Sequence, residues 1–182
     1  MWSPTEDVLA GVTPRGGLVL TRPGGALRRL LPDGWDTAGT VFDPSGQTLA
    51  VARGLPLPPR RQEIWLVHPE TKTRELVYSV PPGEDTPPLL TGWSPDGRWI
   101  LFWPLPDGSN SIAADGLPLL AKRTASGVAP TRVVPATLLY PEFLAWCGPR
   151  LVVAEGGGRY TTDGKRLVVV APTLWTFPAT AR

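Results

Sequence analysis

A chain of 182 residues with 42% hydrophobic side chains, eight Trp and a formal net charge of +2 has enough apolar material to offset its ordering entropy, which excludes a disordered polar segment. Its basic residues fall in separated pairs (Arg28-Arg29, Arg60-Arg61, Lys122-Arg123), a pattern that argues against a nucleic-acid partner, and no stretch approaches the ~20 apolar residues of a spanning helix. The 23 Pro and 20 Gly, about twice the usual share, therefore belong in turns between many short strands.

The first unit opens on Trp2-Ser3-Pro4-Thr5-Glu6-Asp7-Val8-Leu9-Ala10, an aromatic residue, a turn and an apolar strand, and continues as Leu18-Val19-Leu20 paired with Ala26 to Leu31. The same phrase returns at Phe42-Asp43-Pro44-Ser45-Gly46-Gln47-Thr48-Leu49-Ala50-Val51. Behind it comes a hairpin of Glu63 to Val67, a turn at Pro69-Glu70-Thr71-Lys72, and Glu75 to Tyr78. The clearest copy is Trp93-Ser94-Pro95-Asp96-Gly97-Arg98-Trp99-Ile100-Leu101-Phe102, followed by Leu117 to Ala121 and Thr131 to Val134. A fourth copy, Trp146-Cys147-Gly148-Pro149-Arg150-Leu151-Val152-Val153, has a rearranged turn, one hairpin around Tyr160 to Leu167, and a tail strand at Leu174 to Phe177.

The aromatic anchors Trp2, Phe42, Trp93 and Trp146 stand 40, 51 and 53 residues apart. Proline presets φ at the second turn position, Asp or Ser satisfies a local backbone group, and Gly takes the positive φ that closes the hairpin. Each unit thus predicts four antiparallel strands, the content of a β-propeller blade. The expected units are 1–34, 35–80, 87–135 and 139–182, all-β, with the anchors packed between neighbouring blades. No segment holds a helical period; a two-sheet sandwich with a chance hairpin is the alternative.

The Trp-Ser-Pro-Asp-Gly turn with its following strand, together with Glu63-Ile64-Trp65-Leu66-Val67, resembles the TolB-type, WD-like propeller repeat. That resemblance implies a non-catalytic scaffold that binds a protein or ligand. The alternative is the propeller portion of a larger prolyl-oligopeptidase-type peptidase or other hydrolase, gating its substrate. The resemblance implies a periplasmic or extracytoplasmic setting, whereas Met1 to Asp7 shows neither the basic nor the apolar region of a signal peptide, as in a cytoplasmic chain, so localisation stays open. Relatives close rings of six or more blades. Four units imply either further blades or a second copy completing the propeller, since open end faces rich in Val, Leu and Trp exceed what a soluble monomer tolerates.

Propeller topology puts the first-to-second and third-to-fourth strand turns on one face and the longer connections on the other. The latter, Gly54 to Gln62, Pro81 to Thr91, Pro104 to Gly116 and Pro135 to Glu142, are the expected binding face. There Arg60 and Arg61 suit a carboxylate or phosphate, and Glu84, Asp85, Asp107 and Asn110 suit cationic groups. No cofactor or metal is expected: His68 and Cys147 are two ligands where zinc needs at least three protein ligands, and Asp107 to Asn110 carries too few oxygen donors for calcium. His68 is expected to flank a turn and Cys147 to be a buried thiol, neither being catalytic. Gly156-Gly157-Gly158 precedes a strand and not a helix, so it is no phosphate loop.

Overall fold

The structure is a computed structural model and describes residues 1–54, 62–80, 86–105, 117–124, 129–137, 141–155, 158–160, 167–169 and 173–178. Among them every regular element is a strand, and no helix is long and apolar enough to cross a membrane.

Two complete four-stranded antiparallel sheets form the middle of the chain. The second unit is ordered β4 (Thr37–Phe42), β5 (Leu49–Gly54), β6 (Gln62–His68), β7 (Thr73–Val80); the third is β8 (Thr86–Trp93), β9 (Trp99–Leu105), β10 (Leu117–Arg123), β11 (Thr131–Thr137). The first unit has β1 (Leu9–Val12), β2 (Leu18–Thr21) and β3 (Arg28–Leu31) in sequence order. Its innermost strand is reduced to a bridge between Trp2 and Leu9. In the fourth, β12 (Pro141–Cys147) pairs with β13 (Arg150–Glu155), and β13 pairs with β16 (Thr173–Pro178). The expected tail strand is therefore β16, and it takes the third place in the sheet. The expected hairpin is present as β14 (Gly158–Tyr160) and β15 (Leu167–Val169), standing apart as a two-stranded sheet. Strands also run into the stretches expected as long loops, since β8 begins at Thr86 and β11 continues through Thr137. Proline marks the cost of this: the β10–β11 register breaks between Leu117 and Leu119, across Pro118, which has no N–H to give the ladder.

The repeated turns explain themselves atom by atom. In the third unit the Ser94 hydroxyl donates to Asp96 Oδ1 at 2.6 Å and accepts the Trp99 N–H at 2.9 Å. In the second, Asp43 accepts the Ser45 hydroxyl at 2.6 Å through Oδ2 and the Thr48 N–H at 2.9 Å through Oδ1. Asp-Pro-Ser-Gly and Ser-Pro-Asp-Gly thus build the same turn with donor and acceptor exchanged. Gly46 and Gly97 close it at φ +73° and +68°, which a side chain would resist.

Alternation along each strand sends residues to two faces, and two cores result. Between the first and second units lie Val8, Ala10, Leu18, Leu20 and Leu31 from one sheet and Phe42, Leu49, Val51 and Val67 from the other. Between the second and third lie Ala50, Ile64, Leu66 and Val77 against Trp93, Ile100 and Phe102. Trp93 is 8% exposed, and its Nε1 donates to the Val41 carbonyl of the preceding unit at 3.1 Å. Leu101 and Trp103, on the other face of β9, are also buried.

Two expectations are corrected. Trp2, expected between blades, is 55% exposed, and Trp146, expected there too, is half-buried. Cys147, expected to be buried, is exposed. It holds the place of Asp43 and Ser94, but the two-residue turn at Gly148-Pro149 gives its side chain no longer turn to fold across.

Candidate functional site

The predicted binding residues Arg60, Arg61, Glu84, Asp85, Asp107 and Asn110 all lie outside the described residues. The described part of that face is occupied by a structural stack. Arg53 and Arg74 lie over the Trp35 ring at 4.4 and 4.3 Å, and Trp65 meets it edge-on at 5.6 Å between centroids. The buried carboxylate of Glu63 accepts from Trp65 Nε1 at 2.8 Å and from Arg53 at 3.3 Å, while Arg53 Nε donates to the Trp35 carbonyl at 2.8 Å. These partners are internal, so the stack pins the connection between the first two units to the second sheet.

A cavity of about 400 Å³ opens instead on the opposite, short-turn face, between the first and second units. Four turns meet there: Ser3 to Asp7, Arg22 to Leu27, Asp43 to Thr48, and Pro69 to Lys72. Its floor is apolar, made by Val8, Leu20 and Phe42, the same side chains whose alternation forms the first core. Two ion pairs frame the mouth. Arg22 Nη2 meets Glu6 Oε2 at 2.9 Å within the first unit; Arg28 Nη2 reaches across to Glu70 Oε1 and the Pro69 carbonyl, both at 3.1 Å. Thr5 Oγ1 donates to the Ser45 carbonyl at 2.9 Å, locking the two first-position turns together. Gly46 lies under Ser3 and Thr5, where any side chain would collide with their hydroxyl oxygens.

Both framing pairs are solvent-exposed, so each contributes little to stability and is readily exchanged for a ligand's charges. An apolar floor with a few convergent polar groups is the usual form of a recognition cleft. None of Glu6, Arg22, Arg28 or Glu70 stands out in the sequence: the pairs join residues 16 and 42 positions apart, and only the blade register brings them together. His68 flanks the turn at Pro69 as expected, its Nδ1 3.3 Å from Thr48 Oγ1, and the described residues contain no group of three His, Cys, Asp or Glu able to hold a metal ion.

No family model and no curated protein matches the chain. Solved structures do match over nearly its whole length. TolB from Acinetobacter baumannii is 17% identical with a TM-score of 0.55, over 94% of this chain and 42% of that one. The β-propeller domain of the trilobed protease from Pyrococcus furiosus is 16% identical with a TM-score of 0.53, over 92% and 49%. Acylaminoacyl peptidase from Pyrococcus horikoshii is 13% identical with a TM-score of 0.52, over 93% and 29%. This chain spans less than half the length of each of these three. At such identities the likeness carries the fold: the sheets are blades of a β-propeller.

Proposed function

We propose that this chain is a non-catalytic propeller segment that binds a peptide segment of a partner protein in the cleft between its first two blades. The observation that carries the reading is the cleft itself, an apolar floor of Val8, Leu20 and Phe42 inside a frame of two exposed, opposite-signed pairs. It suits an apolar side chain flanked by charged ones, the apolar group filling the floor and the flanking charges replacing one member of each pair.

Peptides selected from a displayed random library on the immobilised chain test this. They should carry that pattern and lose affinity at least tenfold against Ala26→Trp, which fills the cleft from an exposed lining position. Arg15→Trp, in an exposed turn on the opposite face, should leave affinity unchanged. Equal loss in both variants, or in neither, would remove the cleft from consideration.

A second reading is favoured by the likeness to propellers of the trilobed protease and the acylaminoacyl peptidase: the segment belongs to a larger hydrolase and admits or orients its substrate. The encoding reading frame tests it, since a hydrolase domain continuous with these blades is required.

A further inference from the structure

The two pairs framing the cleft differ in how their members are held. Arg22 and Glu6 each have only the other as a side-chain partner among the described residues, and both are well exposed, at 69% and 59%. Arg28 is held twice, by the Glu70 carboxylate and by the Pro69 carbonyl, each at 3.1 Å. Its side chain is 44% exposed against 87% for Glu70, and the bond to Arg28 is the only one the Glu70 carboxylate makes among the described residues. The carbonyl does not move with that carboxylate. The turn from Pro69 to Lys72 is closed by the Lys72 N–H on the His68 carbonyl at 2.8 Å and by the Thr71 and Thr73 hydroxyls at 2.7 Å, with Lys72 at a left-handed φ of 56°. Register fixes the other end of Arg28: it stands opposite Leu20 across β2 and β3, and Leu20 is part of the apolar floor.

Resting on the reading of this cleft as the binding site, we propose that it selects an acidic peptide, one with a carboxylate close to the apolar side chain that fills the floor, and that Glu70 is a built-in stand-in for that carboxylate. A ligand carboxylate that displaces Glu70 meets a guanidinium already positioned by the Pro69 carbonyl, so little ordering is needed to form a charge-assisted bond. The displaced pair is exposed and worth little, and Glu70 turns out into solvent. Arg22 offers no such site, because with Glu6 displaced nothing else holds its guanidinium. The pairing of Arg28 with Leu20 sets the spacing: cross-strand neighbours stand about 5 Å apart, so the acidic residue falls within about two positions of the apolar one. Glu70 both competes for Arg28 and repels the incoming carboxylate, so removing its charge tightens binding.

Displayed peptides with a fixed central leucine and random flanks, selected on the immobilised chain, test it. Asp or Glu should be enriched beside the leucine. For one such acidic peptide, Glu70→Gln should tighten binding by about threefold; the position is exposed, and a gain in affinity cannot come from misfolding. Arg28→Gln should weaken binding by about fivefold, the effect of breaking one partly exposed ion pair. Replacing the peptide's acid by its amide should cost the same on the unaltered chain and nothing on Arg28→Gln, while Glu6→Gln should leave affinity unchanged. Peptides that are lost in Ala26→Trp but show no acidic enrichment, or that are tightened by Glu6→Gln and not by Glu70→Gln, would overturn the acidic preference at Arg28 and leave the cleft reading in place. Acidic peptides whose affinity survives Ala26→Trp, or a selection that yields no binder, would overturn both.

Discussion

If Asp-Pro-Ser-Gly and Ser-Pro-Asp-Gly are one turn with its hydrogen bond reversed, exchanging the two side chains of the second unit should restore what either change alone destroys. Ser45→Asp sets a second carboxylate against Asp43 Oδ2, where the hydroxyl now donates at 2.6 Å. The lost hydrogen bond costs about 1 kcal/mol, and two like charges about 4 Å apart in this exposed turn, where the dielectric is close to that of water, add about 1–2 kcal/mol. Asp43→Ser keeps an acceptor for the Thr48 N–H but gives up the charge-assisted bond, about 1 kcal/mol. Independent effects would sum to about 3–4 kcal/mol. The double variant recreates the third unit's turn and should lose no more than about 1 kcal/mol, a favourable coupling of about 2–3 kcal/mol. Urea unfolding followed by tryptophan fluorescence measures all three. A coupling under about 0.5 kcal/mol would show that the side-chain bond does not organise the turn.

Trp93→Ala should cost about 3–5 kcal/mol in the same assay, and Trp93→Phe about 1–2 kcal/mol because only the bond to the Val41 carbonyl and part of the ring are lost; a loss under about 1 kcal/mol for alanine would contradict its burial. Gly34 and Gly46 both have positive φ, but only Gly46 is roofed by Ser3 and Thr5, so Gly34→Ala should cost about 1–2 kcal/mol and Gly46→Ala clearly more. Partial burial raises the Asp96 carboxyl, yet the Ser94 hydroxyl, the Arg98 N–H and its guanidinium outweigh it and hold the group below its ordinary 3.8. The Thr13 hydroxyl, then Arg29, does the same for Asp33. Groups depressed on folding contribute stability above the ordinary carboxylate range that disappears as pH falls through the lowered values, so the urea midpoint should drop below about pH 4. Ser94→Ala should flatten that drop, and an unchanged slope would count against the Asp96 assignment.

The blades were legible because their determinants are local. Pro95, Asp96 and Gly97 specify a hairpin within a few residues, and Phe42 and Trp93 repeat the same place in it. The cleft was not legible, because Arg28 and Glu70 are 42 residues apart and meet only when two sheets stack. Trp2 was misjudged for a related reason: equal register does not by itself give equal burial, which depends on what packs against the ring, and Trp2 shares the register of Phe42 and Trp93 yet is exposed. Cys147 shows the converse, a shared position whose burial depended on the length of the following turn. Gln47 and Ala26 line the cleft from turns whose residue types follow from turn chemistry alone.

The claim that the short-turn cleft is where this protein binds is tested most directly by amide chemical-shift mapping with a selected peptide on the isotope-labelled chain. The largest shifts should fall on Val8, Leu20, Phe42, Gln47 and Glu70 and be absent in Ala26→Trp. Shifts centred on Trp35, Arg53 and Glu63, or on the 55–61 and 106–116 connections, would place binding on the opposite face and contradict the account.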